Sequence, residues 1–103
     1  MTNSPKPVEL NNHHRDTLMK IFQHPTSHNI EWRTVLSLLE VVGTVEENRD
    51  GKVRVHVGDT MLFLEKPRHK DIDVQQVLDL RHMFQKAGYE AVVEELEDRG
   101  VED

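Results

Sequence analysis

Between residues 52 and 65 the chain alternates apolar and polar positions with a period of two, in "KVRVHVGDTMLFLE". That period marks two β-strands with one buried face each. Gly58-Asp59 lies between the runs and is a two-residue hairpin signal. A turn there pairs Val57 with Thr60, Val55 with Leu62 and Val53 with Leu64, which makes one apolar face. Lys52, Arg54 and His56 then share the other face with Glu65, Phe63 and Met61.

An earlier strand is expected over about residues 44–48, turning back at Asp50-Gly51. A strict two-residue turn places Glu46 rather than Val45 on the apolar face, whereas a bulge or longer loop restores Val45. The pattern leaves that register open. The three strands form an antiparallel meander.

On either side the period changes to that of a helix. In "NIEWRTVLSLLEVVG", Trp32, Val35, Leu39 and Val42 fall at 3-4-3 spacing, widened by Leu36 and Leu38. Asn29 is the expected N-cap, Glu31 sits in the first turn, and Gly43 can end the helix. In "IDVQQVLDLRHMFQKAG", Asp73 is the expected N-cap, with Gln76 placed for a capping box and Ile72 and Val77 for a hydrophobic staple. Val77, Leu80, Phe84 and Ala87 make its buried stripe. A short helix is expected in "NHHRDTLMKIFQHP", with Leu18, Ile21 and Phe22 on one side and Pro25 as its stop. Tyr89, Val92, Val93 and Leu96 predict a last short helix.

The body is therefore an α+β domain, ordered α-β-β-β-α, with short terminal helices. Residues 1–11 form a flexible start, 12–89 the domain, and 90–103 an acidic helix or tail. Both long helices belong on the valine and leucine face of the sheet. Met61 and Phe63 then need cover from the N-terminal helix or from a second copy, because leaving both exposed forgoes roughly 3–5 kcal/mol of burial.

Composition adds limits. With 103 residues the chain supports one modest core. The absence of cysteine excludes disulfides, thiolate zinc sites and a cysteine nucleophile. No run is apolar enough to span a membrane, and the start lacks a signal-peptide core, so a cytoplasmic protein is expected. The net charge of −6 comes entirely from residues 89–103, while residues 1–88 sum to zero. Charge on the body is thus a local matter.

The order of parts resembles the HicA-type toxin family, small mRNA-cleaving proteins of bacterial toxin–antitoxin pairs. The likeness runs over about residues 30–89. It rests on "VLSLLEVVG", the meander, "KPRHKDID" before the last long helix and "KAGY" at its end. Pro67-Arg68-His69 is similar to the family's Val-Pro-x-His element, with Lys66 in place of the valine. The resemblance implies a double-stranded-RNA-binding-like fold, affinity for single- or double-stranded RNA, and an antitoxin-like protein partner. The family's catalytic histidine follows a glycine, one residue apart, at the start of the second strand. Here Lys52 and Val53 follow Gly51. The resemblance therefore implies an RNA-binding module without efficient cleavage.

Candidate RNA-binding residues are Lys52, Arg54, Lys66, Arg68, His69 and Lys70, with Phe63 available to stack a base. Four such cations on single-stranded RNA would give a salt slope of roughly −3. The competing reading is a solvated loop with cross-strand pairs such as Glu65–Lys52 and Glu47–Arg54. His56 and His69 are the weak candidates for an acid–base pair in an mRNA interferase. Among His13, His14, His24 and His28, the pair His24 and His28 has i, i+4 spacing, but Pro25 and the "PTS" stretch work against a helix that would present both, and no carboxylate stands at an H-E-x-x-H position, so neither metal nor cofactor is expected. A homodimer through Met61 and Phe63, with no nucleic-acid role, is the alternative function. The acidic tail invites a further expectation: docked across "KPRHKD", its carboxylates would occupy the places of phosphates.

Overall fold

A computed structural model of the chain describes residues 10–98. Helix α1 (Asn12–Ile21) opens the domain, and Asn11 caps it by accepting the His14 N–H at 2.9 Å. Helix α2 (Trp32–Val42) leads into strands β1 (Thr44–Glu47), β2 (Lys52–Val57) and β3 (Thr60–Glu65). Helices α3 (Val74–Lys86) and α4 (Glu90–Asp98) follow. The sheet is antiparallel in the order β1-β2-β3. Among the described residues no helix is long and apolar enough to cross a membrane.

The second hairpin has the expected register: Val57 faces Thr60, Val55 faces Leu62 and Val53 faces Leu64. The first hairpin takes the longer loop. The Asn48 N–H donates to the Lys52 carbonyl at 2.7 Å, leaving Arg49, Asp50 and Gly51 to turn. Gly51 adopts a φ of 82°, the left-handed conformation that a three-residue hairpin loop requires. Val45 thereby comes opposite Val55 on the apolar face, and Glu46 opposite Arg54 on the other.

Helix α2 begins later than Asn29 predicts. The Trp32 N–H donates to the Lys70 carbonyl at 2.7 Å and the Ile72 N–H to the Ile30 carbonyl at 2.9 Å. This stitch holds residues 30 and 31 extended, so Glu31 takes the N-cap position without a side-chain cap, and Asn29 instead accepts a hydrogen bond from Ser27. Gly43 is required by space rather than by handedness. Its φ is −162°, and a Cβ there would overlap the His56 carbonyl oxygen.

Asp73 caps α3 as expected, accepting the Gln76 N–H at 2.9 Å, and the staple residues Ile72 and Val77 are both buried. Helices α2 and α3 lie on the apolar face of the sheet, α2 mainly over β1 and β2, and α3 over β3. One core runs through Val35, Leu39, Val53, Val55, Leu80 and Phe84. Tyr89 meets Phe84 edge-on at 5.3 Å and ties the start of α4 to that core.

Helix α1 does not cover the second sheet face. It packs against α2 and α3, and so enlarges the helical layer instead. Arg81 explains much of that placement. Its guanidinium donates to the Ile21 and Gln23 carbonyls, each at 2.9 Å, and so closes the C-terminal end of α1. Met61 and Phe63 therefore stay 51% and 56% exposed.

Candidate nucleic-acid interface

The uncovered face is built by strand alternation. Thr44 and Glu46 of β1, Lys52, Arg54 and His56 of β2, and Met61, Phe63 and Glu65 of β3 all point to it. Its cations are unequal. Arg54 is engaged: both Nε, at 3.0 Å, and Nη2 donate to Glu46 Oε1. The expected partner Glu47 lies opposite Val53, on the other face, so the cross-strand pair is Glu46–Arg54 instead. The hydrogen bond and the charge of Arg54 hold the Glu46 carboxyl below its usual value, with a smaller contribution from His56. Lys52 faces Glu65 across the strands, yet among the described residues it has no carboxylate within 4 Å.

Lys52, Phe63, Leu64, Glu65 and Gln76 line one shallow cleft at this end of the sheet. A second cleft adjoins it through Glu65 and Gln76 and is walled by Lys66, Arg68 and His69. The loop of residues 66–70 begins beside the first hairpin, where the Lys66 N–H donates to the Gly51 carbonyl at 3.1 Å. All four of its basic side chains are exposed. Lys70 lies 3.9 Å from Glu31, which also holds Arg33 at 3.5 Å. Lys66 and Arg68 have no carboxylate within 4 Å among the described residues. The structure thus brings Lys52, Phe63, Lys66, Arg68 and His69 to one end of the sheet, and leaves Arg54 neutralised beside them.

His56 and His69 are not brought together. His56 sits opposite Met61, near the Gly58 turn, whereas His69 follows the far end of β3. The four residue steps from Lys52 to His56 alone span about 13 Å of strand. No acid–base pair is assembled from them. The remaining histidines scatter. His14 Nε2 lies 2.9 Å from Ser37 Oγ, while His13, His24 and His28 are exposed. Among the described residues no group of three His, Asp or Glu side chains could hold a metal.

The acidic helix does not start near the basic loop. Helix α3 begins next to that loop and runs for 13 residues, about 20 Å, before α4 follows. Its far end lies at the Gly58 turn, where Ala87 stands 3.6 Å from a Cβ built on Gly58. The part of the expected competitor formed by residues 99–103 lies outside the described residues.

Sequence reasoning missed Gln76. Its side chain does not return to Asp73 to complete a capping box. Its Oε1 accepts the Glu65 N–H at 2.8 Å and clasps the end of β3. A glutamine three residues after an N-cap carries no signal for a strand 11 positions earlier. No family model, no curated protein and no solved structure matches this chain.

Proposed function

We propose that this chain is a HicA-like RNA-binding module without efficient cleavage. It holds single-stranded RNA at the Phe63–Lys52 end of the open sheet and along the loop of residues 66–70. The observation that carries this reading is Phe63. A phenyl ring more than half exposed shares a cleft with Lys52, and that cleft runs on into the one walled by Lys66, Arg68 and His69. A base stacks on an exposed ring whatever its identity, and cations beside the ring take its phosphates. The separation of His56 and His69 favours binding over cleavage.

A homodimer on the same face is the second reading, favoured by the exposure of Met61 beside Phe63. Size counts against it. Three strands of up to six residues present roughly 14 Å by 20 Å, so two such faces would bury on the order of 600 Å², about half of what a stable pair needs.

The test is a titration of labelled single-stranded RNA at two salt concentrations, with the RNA checked for cleavage afterwards. Three to four phosphate contacts give a slope of log K against log salt of roughly −2 to −3. Phe63→Ala and Arg68→Ala should each weaken binding. No binding at low salt, together with a dimer in sedimentation, would replace this reading with the homodimer.

A further inference from the structure

We propose that two copies of this chain associate antiparallel along the free edges of their β3 strands, joining two three-stranded sheets into one. The inference does not depend on the RNA-binding reading, because pairing at the edge leaves the open face uncovered.

The two edges of the sheet are protected differently. Strand β1 is four residues long and carries Glu46 and Glu47, and charges on a short edge discourage a second chain. Strand β3 has no charge from Thr60 to Leu64, and its consecutive residues Met61, Leu62 and Phe63 are all incompletely buried. Leu62 is the informative one. It points to the covered face, where Val53, Val55, Val57 and Leu64 are sealed. Yet it stays half-buried, and it lines a cleft between the edge and α3 together with Asp79, His82 and Lys86.

Backbone alternation decides which groups the edge offers. The Lys66 N–H turns inward to Gly51, and the Glu65 N–H turns outward to the Gln76 side chain. Phe63 and Met61 therefore turn their N–H and C=O groups outward as well, and among the described residues nothing bonds to them there. A second copy centred on Leu62 sets Met61 of each chain opposite Phe63 of the other. Each of these two pairs exchanges two hydrogen bonds. A register centred on Phe63 would need the Glu65 N–H, which Gln76 already holds. On the open face each phenyl ring then lies beside a thioether, and on the covered face the two Leu62 side chains meet.

Charge completes the match. Helix α3 runs antiparallel to β3, from Gln76 beside Glu65 to Ala87 beside Gly58. The two-fold axis at Leu62 thus passes between Asp79 and Lys86, and each Asp79 approaches Lys86 of the second copy. Within its own chain neither has an opposite charge within 4 Å among the described residues.

The experiment is sedimentation equilibrium of the full-length protein, which should show a monomer–dimer equilibrium. Lys86→Asp turns two attractions into repulsions and should raise the dissociation constant about tenfold. Adding Asp79→Lys to it should restore the constant to within about threefold of the parent's, a rescue that a merely structural role would not give. Cysteine, absent from the chain, reads the register. Met61→Cys mixed with Phe63→Cys should form a disulfide between the two variants under mild oxidation. Either variant alone should cross-link far less, because like positions lie diagonally, beyond disulfide reach. A monomer at millimolar concentration overturns the proposal. So does a dimer that tolerates Lys86→Asp, or one in which each cysteine variant cross-links with itself as readily as with the other. RNA binding by a protein that fails these tests leaves the earlier reading standing, and absence of RNA binding by a dimer that passes them removes that reading alone.

Discussion

The two faces of the sheet are made by the same strands and could hardly differ more in what they demand. On the helix-covered face Val53, Val55, Val57 and Leu64 are at most 3% exposed, and all four belong to the one core. On the open face Phe63 and Met61 are more than half exposed, and the polar groups between them belong to cross-strand neighbours. Alternation alone produces the difference. The lesson is a division of labour by parity: odd positions of β2 and even positions of β3 hold the fold, whereas their exposed neighbours contribute far less to it.

The sharpest way to break this comparison is to truncate adjacent residues of β3. Leu64→Ala should lose about 2–5 kcal/mol of stability in urea unfolding, because it empties a closed part of the core. Phe63→Ala should stay within about 0.5 kcal/mol and yet weaken RNA binding. Equal losses at the two positions would mean that the open face is covered after all. Arg81→Ala extends the comparison to the helical layer. It removes two charge-assisted hydrogen bonds to the end of α1, so a loss of about 2–3 kcal/mol is expected by the same measurement. RNA affinity should be unaffected, because α1 lies on the other side.

Smaller effects separate the cations. Arg68→Ala should reduce the magnitude of the salt slope by about 0.7, one phosphate contact on single-stranded RNA. Arg54→Ala should change it less, since Glu46 already occupies that guanidinium. The smallest effect is that of pH. The folded-state pKa of Glu46 is depressed, so the stability it contributes is present above the unfolded carboxylate value and is lost as pH falls through the folded one. Acid unfolding curves of the parent and Glu46→Gln proteins should therefore converge at low pH, where the parent's pair is already broken.

How much of this was legible in the chain depended on how local the cause was. The β2–β3 register could be read outright, because Gly58-Asp59 fixes the turn and three valines fix the parity. The first hairpin could not, since Asp50-Gly51 serves a two- or a three-residue loop equally well, and only pairing decides between them. Asn29 looked like a cap because its local signal is sound. A bridge from residue 30 to residue 72 outweighed it. The candidate cations lay where expected, but their pairing did not follow from sequence. The open register of β1 hid the choice of Glu46 over Glu47. Arg81 and Gln76 act on backbone groups that lie far away in the chain, and no pattern around either residue announces such a partner.

The stitch between residues 30–32 and 70–72 has a consequence for how a ligand would be received. The basic loop is an arch pinned at both feet, by the Lys66 N–H on the Gly51 carbonyl and by the Lys70 carbonyl on the Trp32 N–H. Only residues 67–69 lie between the pins. A polyanion that settles there has little backbone to freeze, and the entropy lost on binding is confined to long side chains. Pre-organisation of this kind lets a few charges capture a phosphate chain quickly. Lengthening the arch with glycines would keep every charge and forfeit that advantage.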